Sequence, residues 1–219
     1  MSATRHPRVL VVRHGRTALN AAELLRGRLD PELDDVGLAE VDALAEALAD
    51  RRPVRVVCSP LRRAVQTASA IAHRAGVRAE IDTWLIDRDY GEWAGRPKRE
   101  VIEQWGSLDA APGVESTDHV RYRAAVALDE QVGYLDDVRP IVLVSHDAVN
   151  RVLLSSLDPE LGPEQAIGQR TACWNEIERV DGRWRVLLVD RTASDRPAWD
   201  RPAGDRPAPD RPVAVAAAG

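Results

Sequence analysis

Phenylalanine is absent from this chain, methionine occurs once and lysine once, at Lys98. Leu, Val, Ile and Ala must therefore fill most of any core, with six tryptophans supplying most of the aromatic bulk. Cysteine is scarce too. Cys58 and Cys173 both sit in apolar contexts, and no C-x-x-C or Cys/His cluster offers a zinc site, so two buried inert thiols and no metal are expected. No stretch of 18 apolar residues occurs, and the apolar run near the first residues is too short for a signal peptide. The cytoplasm is the expected compartment. Positive charge is not in excess either. The net charge of -5 lacks the basic footprint of a nucleic-acid or membrane-surface binder, so neither partner is expected.

What is present suits one α/β domain. The chain has 219 residues, 44% hydrophobic and 30% charged, enough for a well-buried core. Short apolar runs at 8–12 (RVLVV), 54–58 (VRVVC), 77–81 and 141–145 (IVLVS) read as buried strands. Between them lie helical patterns at 36–49, 61–75, 117–135 and 148–157. In the first, Leu38, Val41, Leu44, Ala45 and Leu48 share one face. The segment 83–113 is Trp- and Gly-rich and reads as a long functional loop with a short helix near 98–105. Residues 173–179 and 184–189 flank Asp181-Gly182, a hairpin signal. The expected fold is a three-layer α/β/α sandwich, with a mostly parallel sheet covered by helices on both faces.

From Asp190 the sequence repeats an Asp-Arg-Pro-Ala motif every five residues. Proline blocks helix and sheet ladders, and units this short cannot build a repeat core. The expected organisation is a catalytic domain at 1–189 and a disordered or polyproline-like tail at 190–219.

Ligands bind such sheets at the carboxyl ends of the strands. Three strands run directly into polar residues there: Arg13-His14, Ser59, and Ser145-His146. Arginine offers a planar fork of donors suited to phosphate, and neutral histidine offers a nitrogen nucleophile near pH 7. Taken alone, Arg13-His14-Gly15 is equally a structural Arg and a capping His. Two histidines and an arginine at comparable strand ends favour one shared site. Ser59-Pro60-Leu61-Arg62-Arg63 opens a helix, whose free N–H groups favour an anion. Arg62 and Arg63 point about 100° apart on it, so at most one faces the site.

Arg13-His14-Gly15, the Leu61-x-Arg63-Ala64-x-x-Thr67-Ala68 segment and Ser145-His146 together resemble the ordered signature of the histidine phosphatase superfamily, the phosphoglycerate-mutase-like proteins. The spacing of Asn20 and Gly27 and the segment 33–38 fit as well, so the resemblance covers roughly residues 8–189. It implies that His14 is the phosphorylated nucleophile and that Arg13 and Arg63 clamp the phosphoryl oxygens. It implies that His146 stabilises the transferring group and that Asn20 adds a phosphate contact. The family's acid, usually a Glu, falls on Asp87, with Asp89 and Glu92 as competitors. Gly27 and Trp93 lie in matching substrate-side segments. Arg26 departs from the pattern, and is either an extra positive contact for an acidic substrate or a solvent-facing charge.

The implied activity is metal-independent hydrolysis of a phosphomonoester through a phosphohistidine, on a small phosphorylated metabolite and with no cofactor. The cations around His14 should keep it neutral and ready to attack. A phosphoglycerate-mutase-type transferase is the alternative on the same scaffold. Against it, the stretch from Arg63 to His146 lacks the long insertion the mutases carry. An inactive phosphate-binding module is the alternative from another class. A homodimer through a sheet edge or outer helix is compatible with the pattern.

Overall fold

The computed structural model describes residues 6–135 and 139–195. Six strands form one sheet: β1 (Arg8–Arg13), β2 (Arg55–Cys58), β3 (Ala79–Ile81), β4 (Ile141–Ser145), β5 (Trp174–Val180) and β6 (Arg183–Arg191), in the order β3-β2-β4-β1-β5-β6. The first four are parallel, and β5 and β6 add an antiparallel hairpin at the β1 side. The hairpin turns at Asp181-Gly182, both at positive φ, as a tight primed turn requires. Register brings Arg13 opposite Ser145 and Cys58 opposite Val144. The carboxyl ends of β2, β4 and β1 therefore lie side by side.

Six helices follow: α1 (Ala18–Ala21), α2 (Asp35–Ala49), α3 (Arg62–Ala75), α4 (Lys98–Trp105), α5 (Thr117–Asp129) and α6 (Asp147–Leu157). One face of the sheet meets α2 and α3 through a cluster including Leu10, Val12, Leu44, Leu48, Val142 and Ile71. The other meets α5 and α6 through Val9, Val11, Leu128, Leu143, Val152 and Leu154. Alternate residues of β1 and β4 thus point to opposite layers, which is why both strands are apolar throughout. Along α2, Val41, Leu44, Ala45 and Leu48 are buried as their spacing predicts, but Leu38 is half exposed, because Gly37 rather than Leu38 is the residue of the first turn that docks, against Arg16. Helix α5 stops at Asp129, six residues short of its sequence pattern. Gln131 turns inward there, donating to the Ala127 carbonyl and accepting from Arg55, and Gly133 weakens further helix.

Residues 83–113 are more ordered than a loop. Leu25, Tyr90, Val101 and Ala111 form a third small core around α4. An isolated bridge between Leu24 and Pro97 ties this core to the segment after α1. Strand β6 runs on to Arg191, so the sheet takes in the start of the stretch whose proline repeat reads as tail. Arg170 pairs with Asp190 and Asp195, which fixes residues 190–195 on the domain. Residues 196–219 lie outside the described residues. Among the described residues no helix is long and apolar enough to cross a membrane.

Candidate active site

The three strand ends deliver their polar residues to one point. His14 has no exposed surface. Its Nδ1 lies 2.6 Å from the Gly15 carbonyl, which can only accept, so Nδ1 carries the hydrogen. In the neutral ring Nε2 then holds the lone pair, and it accepts from Arg63 Nε at 3.2 Å. The His14 pKa lies well below the ordinary histidine value. Burial is the largest cause, followed by the positive charges of Arg63, Arg13 and Arg26. Sequence reasoning named the cations and missed the larger effect of burial.

Gly15 is held by close approach. A Cβ there would lie 2.6 Å from Val41 Cγ2 and 2.7 Å from the Gly37 carbonyl, so the strand-end turn can seat against α2 only without a side chain. Its N–H donates to Thr67 Oγ1 on α3, which locks the turn to the helix that carries Arg63.

Arg63 is fully buried, and it donates to the carbonyls of Leu29 and Gly27 at 2.7 and 2.9 Å and to Asp87 Oδ2 at 2.9 Å. Arg62 points away and pairs with Asp30 and Glu32 at the surface. One of the two faces the site, as the 100° step requires. Gly27 contributes through its backbone: it sits at φ +50, and its carbonyl holds Arg63. A Cβ at Gly27 would press on the Tyr90 ring at 3.0 Å and the Arg88 carbonyl at 3.1 Å.

Arg13 reaches across from β1 and donates through Nη1 to the Gln169 carbonyl, leaving Nε buried without a partner. Gln169 is held by buried amides, its side chain bonding Asn150 and Asn175. No sequence pattern pointed to this support. His146 stands at the start of α6, its ring 5.1 Å from that of His14. Its Nε2 is 2.8 Å from Ser59 Oγ, and its Nδ1 has no hydrogen-bond partner and lies 3.7 Å from Asp87 Oδ2. Burial first, then Arg63, pushes its pKa well down too.

Of the three carboxylates weighed as the acid, Asp87 is brought to the centre. It is buried between Arg63 and His146. Asp89 pairs with Arg28 at the surface, and Glu92 is exposed on a short 3-10 turn. Trp93 is half-buried against the third core. Its indole N–H donates to the Pro112 carbonyl and its ring packs edge-on against Trp105, because the third core claims it. Asn20 spends its carbonyl oxygen in a capping box with Thr17, and the residue lines a cavity of about 860 Å³. Arg13, Arg26, Tyr90 and Lys98 line the same cavity. Among the described residues no group of three or more His, Cys, Asp or Glu is set to hold a metal ion.

A family model for the histidine phosphatase superfamily (branch 1) matches residues 9–192. The chain belongs to this superfamily. A glucosyl-3-phosphoglycerate phosphatase of Mycolicibacterium vanbaalenii is 33% identical over 82% of this chain and 92% of its own length. One from Mycobacterium tuberculosis is 30% identical over 82% and 87%. Among solved structures, a mycobacterial glucosyl-3-phosphoglycerate phosphatase in complex with VO3 superposes with TM-score 0.76, at 28% identity, over 85% of this chain and all of the other. A phosphoglycerate mutase of Bacillus anthracis shares the fold at TM-score 0.75 and 20% identity. The phosphatase relatives and the strand-end site place this histidine phosphatase with the phosphomonoester hydrolases.

Proposed function

We propose that this histidine phosphatase hydrolyses a small phosphorylated metabolite through a phosphohistidine on His14. The observation that carries the reading is the unprotonated Nε2 of a buried neutral His14, set between Arg63 and His146 with Arg13 beside it. In the first step the Nε2 lone pair attacks phosphorus. The bond to the leaving oxygen breaks, and that oxygen takes its electron pair and a proton from Asp87, which picks that proton up from the entering phosphate monoanion once the phosphoryl group has drawn Arg63 away. In the second step water attacks, the P–N bond breaks, its electrons return to Nε2, and Asp87 takes the proton from water. That proton leaves with the product phosphate, and Asp87 returns to its ion pair with Arg63.

Arg63 Nε–H now caps the nucleophile, and its Nη2 holds Asp87. A phosphoryl group offers oxygens to both donors. Its arrival uncovers Nε2 and frees Asp87 to reach the leaving oxygen. Arg13, with an unpartnered Nε, and His146, with an unpartnered Nδ1, supply the remaining donors for the equatorial oxygens. Asn20 contributes its amide from the cavity wall. The phosphatase relatives make phosphorylated acids related to glucosyl-3-phosphoglycerate the first substrates to try. The test is phosphate release from a phosphomonoester panel in chelator, beside acid-quenched rapid mixing with labelled substrate. Release that disappears in His14→Ala, with label on the wild-type histidine, is the expected result. Undiminished release from His14→Ala overturns the reading.

A further inference from the structure

A buried ion pair outside the phosphoryl centre takes no part in the chemistry at His14. Arg123 projects from α5, and Glu115 stands just before the Ser116 cap of that helix. Their side chains are 3% and 6% exposed. They meet fork to fork, Arg123 Nε at 2.8 Å from Glu115 Oε1 and Nη2 at 3.1 Å from Oε2. Apolar side chains can often replace such a pair without loss of stability, so stability alone does not account for it.

The remaining hydrogen bonds of the pair set it apart. Arg123 Nη1 donates to two backbone carbonyls, of Trp84 at 2.9 Å and of Ile86. Glu115 Oε2 accepts from the Asp89 N–H at 3.0 Å, and the Glu115 N–H donates to the Asp89 carbonyl at 2.8 Å. Arg88 Nε donates to the Glu115 carbonyl at 2.7 Å. At the end of β4, Ser145 Oγ donates to the Leu85 carbonyl at 2.8 Å. These bonds fall on residues 84–86 and 88–89, on either side of Asp87.

Residues 86–90 belong to no helix or strand, so no ladder of their own fixes them. The Asp87 carboxylate is held directly by Arg63 at 2.9 Å. A phosphoryl group at His14 draws Arg63 away, and from then on the carboxyl depends on its backbone for its place. Aspartate has a single methylene with which to make up a displaced backbone. A shift of about 1 Å in a reacting group can cost on the order of 100-fold in rate.

We infer that Arg123 and Glu115 are positioning residues for the acid: the pair grips the chain on both sides of Asp87 and so sets its carboxyl on the leaving oxygen. The inference rests on Asp87 acting as the acid in hydrolysis at His14.

The experiment measures kcat/KM on 3-phosphoglycerate, whose alkoxide needs a proton to leave, and on p-nitrophenyl phosphate, whose phenolate does not. The proteins are wild type, Arg123→Lys, Glu115→Gln, Asp87→Asn and the Arg123→Lys/Asp87→Asn double variant. Arg123→Lys keeps the charge that reaches His146 but loses the fork, so it cannot hold Glu115 and both carbonyls together. It should lose about tenfold or more on 3-phosphoglycerate and little on p-nitrophenyl phosphate. Glu115→Gln can still accept from the Asp89 N–H and should fall between Arg123→Lys and wild type. Beside Asp87→Asn, Arg123→Lys should cost nothing further on either substrate. Equal losses on both substrates, or a loss that persists in full beside Asp87→Asn, would make Arg123 a residue of the fold and overturn the inference. So would an Arg123→Lys protein as active as wild type on both. Unfolding curves check that each variant is folded. If Arg123→Lys is not, Arg123→Met/Glu115→Leu removes both charges together and takes its place, with the same pattern expected. A wild type that hydrolyses neither substrate would instead overturn the phosphatase reading, and an Asp87→Asn protein that loses equally on both would overturn the acid role beneath the inference.

Discussion

Replacing Arg63 by Met separates what this arginine does for the fold from what it does for the chemistry. Its guanidinium has no exposed surface, and it is the partner that neutralises buried Asp87 at 2.9 Å. Removing one member of a buried ion pair costs about 3–5 kcal/mol, because the other is left uncompensated. Two carbonyls, of Leu29 and Gly27, lose their donor as well, at roughly 1 kcal/mol or more each where water cannot replace it. Arg63→Met should therefore lose about 5–7 kcal/mol, a large part of the stability of an ordinary domain. Adding Asp87→Asn removes the stranded charge but not the empty carbonyls, so the double variant should regain about 2–3 kcal/mol. Activity should not follow. Loss of a clamping arginine costs a factor of about 1,000 or more in phosphoryl transfer, and Asn at 87 restores no donor to the phosphoryl oxygens. Urea unfolding followed by tryptophan fluorescence, beside kcat/KM, reads both. A double variant no more stable than Arg63→Met would refute the reasoning, since Asp87 would then not be the charge that Arg63 balances.

Four further outcomes follow from the same geometry. Both active-site histidines have proton affinities lowered mainly by burial. The unfolded chain therefore binds their protons first. Stability should hold above about pH 6.5 and fall below it, by roughly 1.4 kcal/mol per histidine per pH unit until the folded groups titrate. Urea midpoints between pH 5 and 8 check this, and a midpoint flat across pH 6.5 would contradict it. For the same reason the acid limb of kcat/KM should not show His14 titrating near pH 6.5. Asp87→Asn should lower kcat on alkyl phosphates by about 100-fold or more and on p-nitrophenyl phosphate far less, because nitrophenolate leaves without a proton. Glu92→Gln should change neither, and equal losses on both substrates in Asp87→Asn would argue against an acid role. Gly15→Ala should disable the enzyme without touching a reacting group, by pushing the His14 turn off Val41 and Gly37, and a fully active Gly15→Ala protein would show that the turn has slack.

Much of the site was legible because strand ends are legible. A β-branched run bounded by Arg13-His14, Ser59 or Ser145-His146 fixes both the strand and the edge where its last residues emerge. A parallel sheet order then brings those edges together. The helical step separated Arg62 from Arg63, and the structure puts Arg63 alone at His14. What stayed hidden depends on contacts between distant segments. Trp93 carried an aromatic signal, but it packs on the third core and meets Trp105 and Pro112 from later segments, which no periodicity announces. Gly15 looked like a turn residue, yet its requirement comes from α2 docking some twenty residues later. Lys98 drew no attention as the single lysine, although the bridge between Leu24 and Pro97 carries it to the rim beside Arg26. The Gln169 carbonyl that seats Arg13 is a backbone atom, and backbone roles leave little trace in side-chain identity.

The lock between Arg170 and the pair Asp190 and Asp195 bears on where this chain can be cut. Residues 168–172 supply both the carbonyl that seats Arg13 and the Ala172 N–H that donates to the His14 carbonyl. Asp190 accepts from the Arg170 backbone and side chain, and its own N–H reaches Asn175, which in turn bonds Gln169. A protein shortened at the first Asp-Arg unit would lose the last two residues of β6 and, with them, the brace behind Arg13. The proline repeat as a family of look-alike units hides this: its first copy, at Asp190, has been drafted into the enzyme, and a useful truncation must begin after Asp195.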